Sequence, residues 1–238
     1  MGNVAIIPAR GGSKRISNKN IRQFMGKPII AYSIEAALET RLFKHVIVST
    51  DSSEIARISR EYGAETPFVR PIELSDDFTG TDAVVLHALD WLMENQGDTI
   101  DYVCCIYATA PFIRPRDILR GNDLIRQHGA ESAVSVTTFS YPIFRGMKIN
   151  EGGRLEMFWP EHFSSRSQDL PKAYHDAGQF YWAEVNRYRQ NKRFFSNDSL
   201  PVILPRYLVQ DIDTPEDWSA AEILYRLQKN EKDLSGAD

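Results

Sequence analysis

Residues 4–21 read VAIIPARGGSKRISNKNI. An unbroken apolar run, Val4–Pro8, stops at a loop that carries Gly11, Gly12 and Ser13 among the cations Arg10, Lys14, Arg15 and Lys19, with Arg22 just beyond. A strand covered on both faces reads as a continuous apolar run, so this opening predicts a buried parallel strand of an α/β protein. Backbone N–H groups in a glycine-rich turn can form a concave anion site. Ser13 adds a hydroxyl, and Arg10 and Lys14 add full charge, so the loop suits a polyphosphate. A plain solvated basic loop is the alternative; the position after a first strand and the Gly-Gly-Ser-Lys core favour phosphate. Neither common phosphate motif is present. Lys14 is followed by Arg15 rather than Ser or Thr, and two adjacent glycines followed by a long loop do not make the three spaced glycines of a dinucleotide fingerprint.

Outward from this loop, strand and helix alternate. Pro28 suits a first helical position before IIAYSIEAALE, and HVIVST reads as a second strand. In DSSEIARISREYG, Asp51 and Glu54 have capping-box spacing and Gly63 stops the helix. AETPFV reads as a short strand leading into the loop RPIELSDDFTG. Thr81 or Asp82 is expected to cap a helix running to about Asn95, with Val85, Leu89 and Leu92 on one face. DYVCCIYA is a strand, Pro115 opens a helix closed by Gly129, and SAVSVT is a further strand. This alternation predicts a Rossmann-like, mostly parallel sheet with helices on both faces. It breaks over Phe139–Trp182, where aromatics, prolines and charges mix without a period, and that stretch reads as an insertion in a single domain spanning 1–238. PVILPRYLVQDID returns to strand, and Thr214–Asp217 opens a last helix. Beyond Lys229 the tail reads as frayed. Ligands of open sheets bind at the carboxyl ends of the strands, and the segments of Arg10, Asp51, Thr109 and Asp211 all leave strands there.

The chain has 238 residues, 42% of them hydrophobic, enough for one core of ordinary size, and a net charge of −4. That balance argues against a nucleic-acid binder and makes the basic loop a local feature. Cys104 and Cys105 are adjacent, with Cα atoms about 3.8 Å apart, too close for a relaxed disulfide. They read as buried thiols of a reducing compartment. No run approaches the roughly 20 apolar residues of a membrane span, and no secretory leader opens the chain, so a soluble cytoplasmic protein is expected.

The second constellation is QDIDTPEDW, residues 210–218. On a strand Asp211 and Asp213 share one face, and their repulsion would be relieved by a cation; few oxygen ligands suit Mg²⁺. Helix capping is the alternative use, but Thr214 can do that and leave both aspartates free. Asp-x-Asp-Thr is also the nucleophile motif of aspartyl-phosphate hydrolases, but there it follows a first strand, not a late one.

Together, IPARGGSKRISNKNI, VSTDS, VRPIELSDD, YATAPF and QDIDTPEDW resemble, in order and over nearly the whole chain, the CMP-sugar synthetases of nonulosonic acids. QDLPKAYHDAGQFYW is most similar to the branch acting on pseudaminic acid, whose products serve surface glycan or flagellin glycosylation. The resemblance implies a nucleotide-diphospho-sugar transferase fold, Mg²⁺ dependence, and a homodimer whose inserted segment, here 139–182, reaches the partner. It places Arg10, Ser13, Lys14 and Asn20 at the triphosphate of CTP, the backbone of Ala9 with Arg70 and Thr81 at cytosine and ribose, Thr109 in the nucleotide site, and Asp211 and Asp213 on the metal. Arg166, Gln168 and Asp169, with His175, fall where the nine-carbon sugar acid is contacted. Two departures stand out: Tyr107-Ala-Thr-Ala-Pro replaces the Gln-Pro-Thr-Ser-Pro of sialic acid synthetases, and Asp176-Ala-Gly replaces their Pro-Asn-Gly. Both fall where the sugar is read and point away from sialic acid. The implied reaction is attack of the anomeric hydroxyl on the α-phosphorus of CTP, with pyrophosphate leaving.

Plainer uses exist for the insertion. His175 could be a packed core or interface histidine, Arg166 an ordinary ion-pair partner, and Phe158, Trp159, Tyr181 and Trp182 subunit or core packing. The rival functions are CMP-sialic, CMP-legionaminic or CMP-KDO synthesis, a sugar-phosphate nucleotidyltransferase, and a catalytically silent nucleotide-binding module.

Overall fold

The computed structural model describes residues 2–235, with side chains through Lys229. The opening apolar run is β1 (Gly2–Pro8). A short hairpin, β2 (Gln23–Phe24) and β3 (Lys27–Pro28), turns at Met25 and Gly26, both at positive φ, as a two-residue hairpin turn requires. Then follow α1 (Ile29–Glu39), β4 (Phe43–Ser49), α2 (Ser53–Glu61), α3 (Thr81–Gln96), β5 (Ile100–Ile106), α4 (Pro115–His128) and β6 (Ser132–Thr138). A second hairpin, β7 (Met147–Ile149) and β8 (Leu155–Met157), precedes β9 (Tyr174–Glu184), α5 (Val185–Asn191), β10 (Ser199–Ile203) and α6 (Pro215–Ser235).

Six strands form one sheet in the order β10-β6-β9-β5-β1-β4. All neighbours are parallel except β9, which runs antiparallel between β5 and β6. Alternation along β1 sends Ala5 and Ile7 into one core and Val4 and Ile6 into the other, which is why its sequence shows no polar face. The mostly parallel α/β architecture is therefore the expected one. Among the described residues, no helix is long and apolar enough to cross a membrane. Cys104 and Cys105 are buried and free, and burial raises both thiol pKa values.

The largest departure concerns the insertion. Its expected last residues are not part of it: Phe180, Tyr181 and Trp182 lie on β9, buried in the two cores. Trp182 fills the space beside α4 so completely that a Cβ on Gly121 would stand 2.7 Å from its ring. The irregular segment is shorter, 139–173, and all of it is at least partly exposed. The pairing of β9 with β6 is interrupted by a bulge between Asp176 and Tyr181, where Gly178 has φ +59° and its N–H donates to Asp176 Oδ1 at 2.8 Å.

Smaller differences have local causes. AETPFV supplies a single bridge, Glu65 to Ile47, because the chain peels away to the loop that follows. Of PVILPRYLVQDID only the first residues extend a strand; Pro205 and the turn at Arg206–Leu208 end it. Ser52, not Asp51, caps α2, and Gly80 precedes α3 without a side-chain cap. The last helix starts as expected: Asp217 N–H donates to Thr214 Oγ1, and Thr214 N–H returns a bond to Asp217 Oδ2. It continues past Lys229 to Ser235; residues 236–238 lie outside the described residues.

A third cluster gathers Ile16, Phe24, Ile29, Tyr32, Phe112, Leu208, Ile212, Trp218 and Ala221. Ile16 belongs to the basic loop, and Ile212 stands between the two aspartates; they are 2% and 1% exposed. Phe24 meets the edge of Trp218 at 5.5 Å. Burial of these side chains is worth roughly 1.5–3 kcal/mol each, and it staples the two ends of the sequence together.

Candidate active site

Beside that staple lies a cavity of about 540 Å³ at the carboxyl end of β1 and β5. Its wall includes Arg10, Ser13, Lys14, Arg15, Lys19, Asn20, Arg70, Thr81 and Thr109, together with Asp76, Asp77 and Tyr107. The structure thus brings together most of the residues expected at a nucleotide. Ala9 is the exception: it is buried, it does not line the cavity, and its N–H is spent on Ser49 O at 2.9 Å.

The basic loop is built by bracing. Gly11 N–H donates to Asp51 Oδ1 at 2.8 Å, and a Cβ at Gly11 would come within 3.2 Å of Ser52 Cβ, so glycine permits the close approach. Ser13 N–H donates back to Gly11 O. Two of the N–H groups expected to form an anion nest are therefore engaged within the protein, and anion recognition falls mainly to side chains. Asn20 Nδ2 donates to Arg10 O at 2.9 Å and fixes the backbone that carries the first cation. Asn18, at φ +51°, closes the loop in a conformation asparagine tolerates.

Arg70 is 4% exposed. Its Nε donates to Ser49 Oγ at 3.1 Å, Nη2 to Ser49 O and Nη1 to Leu74 O. Burial lowers its pKa to about 10, against the opposing pull of Asp51, and Arg10 nearby adds to the lowering. At neutral pH it remains a cation, fixed in the wall. Across the cavity Thr81 Oγ1 and Tyr107 OH lie 3.2 Å apart.

Asp211 and Asp213 do not line the cavity themselves; Asp213 stands behind Arg15 and Lys19. Arg15 Nη2 lies 2.9 Å from Asp213 Oδ1, and Lys19 Nζ reaches the same oxygen at 3.3 Å while donating to Ile212 O at 2.7 Å. Both cations belong to the cavity wall, so Asp213 is tied to the amino-terminal loop through that wall. Partial burial, then the charge of Asp213, raises the pKa of Asp211. A carboxylate whose ionisation a neighbouring carboxylate disfavours fits a cation. Among the described residues no group of three or more His, Cys, Asp or Glu clusters. An ion held here would complete its shell from substrate and water, the habit of Mg²⁺.

The expected sugar contacts lie elsewhere. Arg166 Nε pairs with Asp169 Oδ2 at 2.7 Å, and both are well exposed. Gln168 is exposed beside them. His175 Nδ1 lies 2.8 Å from Asp176 O, and its ring packs on Phe139. None of the four lines the nucleotide-sized cavity. The insertion instead borders a larger groove of about 1020 Å³, shared with the first turn of α4 and with Ile203–Tyr207.

Sequence reading did not assign roles to Asp77, Arg15 or Lys19. Asp77 pairs with Arg10 at 2.8 Å and with Lys14. Its signal was the doubled acid in the loop SDDFTG, opposite a loop of opposite charge.

Comparison with known proteins agrees with this geometry. A family profile described as Cytidylyltransferase matches residues 4–203. Pseudaminic acid cytidylyltransferase of Campylobacter jejuni is 44% identical over 227 residues, covering 95% of this chain and 97% of that protein. CMP-N,N'-diacetyllegionaminic acid synthase of Legionella pneumophila is 35% identical, covering 95% and 97%. In fold, a CMP:2-keto-3-deoxy-manno-octonic acid synthetase solved with CTP superimposes with a TM-score of 0.69 at 17% identity, over 96% of this chain and all of that one. On the length of these matches, the chain belongs to the cytidylyltransferase family.

Proposed function

We propose that this protein transfers the cytidylyl group of CTP to the anomeric hydroxyl of a nonulosonic acid, pseudaminic acid, giving the CMP-sugar and pyrophosphate for surface glycan or flagellin glycosylation. The observation that carries this reading is the joining of the basic loop to the aspartate segment, through Arg15 and Lys19 on Asp213 and through the buried cluster that Ile16 and Ile212 share. The likeness to a pseudaminic acid enzyme at 44% identity supports the choice of sugar.

The phosphates of CTP would lie along Arg10, Ser13 and Lys14, with Asn20 holding the backbone of Arg10. Arg70 and Thr81 would face ribose and base. Phosphoryl transfer needs mainly positioning and charge stabilisation. Arg10 and Lys14 act on the bridging and departing oxygens, where negative charge builds as pyrophosphate leaves. Asp211 and Asp213 would hold Mg²⁺, whose positive charge would lower the repulsion between phosphate and nucleophile. Arg15 and Lys19 hold Asp213 in place. We further propose a cytoplasmic homodimer. Exposed Tyr141, Ile149, Leu155 and Phe163 on the insertion support a second copy as its cover, and the two free, buried cysteines support a reducing compartment.

Pyrophosphate release from CTP and Mg²⁺ with a panel of sugar acids tests this. Release should be greatest with pseudaminic acid. Preference for KDO or sialic acid would reassign the substrate, and no release with any of them would leave a nucleotide-binding module.

A further inference from the structure

The loop Ser75–Gly80 forms the wall of the cavity facing the basic loop. Asp77 on this loop lies between Arg10 Nη1, at 2.8 Å, and Lys14 Nζ. Arg10 Nη1 also donates to Asp76 O. The loop is held in that shape by its own bonds. Asp76 Oδ1 accepts from Phe78 N–H at 3.0 Å and Thr79 N–H at 2.7 Å, Ser75 Oγ donates to Pro71 O, and Thr79 Oγ1 donates to Glu73 O. Asp77 is thus presented to the two cations by a preformed turn. The Lys14 bond, together with Arg10, lowers the pKa of its carboxyl, which is charged at neutral pH.

A tethered ligand competes at an effective concentration on the millimolar scale. A carboxylate fixed opposite two cations therefore sets a threshold that any free anion must exceed. Orthophosphate offers little more to Arg10 and Lys14 than Asp77 does. A chain of two or three phosphates spans both cations and continues beyond them.

We infer that Asp77 is a specificity-determining residue, an internal anion that competes with phosphate for Arg10 and Lys14 and so reserves the site for polyphosphates. The inference rests on the reading that the phosphates of CTP occupy those two cations. Asp77 also assists departure: as pyrophosphate leaves, the carboxylate takes back both cations and keeps a second anion from holding the site.

The test is calorimetric titration of the whole protein with pyrophosphate and with orthophosphate, in EDTA. The native chain is compared with Asp77→Asn and Glu73→Gln. Each exposed ion pair is worth at most about fivefold in affinity. Loss of two predicts pyrophosphate binding about tenfold tighter in Asp77→Asn, with orthophosphate binding rising from undetectable to measurable. Glu73→Gln removes the same charge just outside the cavity wall, and should change either affinity by less than about twofold. Unchanged or weaker pyrophosphate binding in Asp77→Asn would overturn the inference. So would equal tightening in Glu73→Gln, which would reduce the effect to net charge. A repeat with Mg²⁺ in which Asp77→Asn loses pyrophosphate binding would assign Asp77 to the ion instead. Because no sugar is present, failure here is separable from failure of the proposed reaction, which is read from pyrophosphate release by the native chain.

Discussion

The loop after β1 and the insertion between β6 and β9 are both rich in charge, yet they hold it differently. In the loop the cations are tied to distant parts of the chain: Arg10 and Lys14 to Asp77, and Arg15 and Lys19 to Asp213. The backbone beneath is braced by Asp51, and Ile16 is buried. In the insertion Arg166 pairs with a neighbour three residues away, and the side chains around it are exposed. One region is braced by the rest of its own chain. The other leaves its side chains exposed. Preorganised charge acts on a transition state without reorganisation at the moment of reaction, so the two regions should answer mutation differently.

The most damaging test is Lys14→Ala. If the loop supplies charge to the departing pyrophosphate, kcat falls by about 10²–10³, while the melting temperature barely moves because Lys14 is exposed. Steady-state kinetics with CTP varied would check this. A normal kcat with a raised KM for CTP would make Lys14 a ground-state binder only and weaken the contrast between the regions.

Next in size is a test of where the insertion ends. Gly121 on α4 abuts Trp182, and Gly121→Ala must push a Cβ into an indole that is fully buried. Overpacking of this kind costs about 1–3 kcal/mol, measurable as a lower urea midpoint. If Trp182 belonged to a mobile insertion, the ring would move aside and the midpoint would hold.

How much of this was legible beforehand follows from the same contrast. The basic loop and the paired aspartates were visible because their residue types are unusual and sit at the ends of strands. The buried cluster that joins them was not. Ile16 and Ile212 are two ordinary apolar residues about two hundred positions apart, and nothing local in sequence marks them as partners. Asp51 looked like a helix cap, since capping spacing is common; its bond to Gly11 depends on β1 and β4 lying side by side. β9 was hidden by its surroundings. Phe180–Ala183 is the same kind of unbroken apolar run as β1 and β5, but it follows a charged, aperiodic stretch and in sequence reads as its continuation. The antiparallel strand is what returns the chain to the sheet after the insertion.

A subtler test separates the stability of the site from its function. The raised pKa of Asp211, caused first by burial and then by Asp213, means that its carboxylate is strained in the folded protein. For a carboxyl raised above its unfolded value of 3.8, the native state favours the protonated form; the penalty is absent below that value and grows as pH rises through the folded pKa. Asp211→Asn should therefore raise the melting temperature slightly in EDTA at pH 7, on the order of 1–2 °C for a half-exposed group. It should give no gain near pH 3.5, and it should lose turnover supported by Mg²⁺. Thermal melts at the two pH values decide the first part. A gain of equal size at both would mean that the carboxylate carries no such penalty.

The smallest expected effect on folding belongs to Arg166→Ala. Its pair with Asp169 is bidentate, with a second bond from Nη2 to Oδ1 at 3.2 Å, but the side chains are 72% and 50% exposed. Exposed pairs are worth about 0–1 kcal/mol, so urea unfolding should shift by less than about 0.5 kcal/mol. If the insertion meets the sugar acid across a partner, KM for the sugar rises at least about tenfold while KM for CTP stays put, because loss of a charged hydrogen bond to a carboxylate costs about 1.5–3 kcal/mol. Arg166→Lys would restore little, since lysine cannot reproduce a two-pronged contact. A variant that changes neither constant would leave Arg166 as a surface ion pair, and the sugar would then have to be read from the cavity wall itself, where Tyr107 and Thr109 already stand.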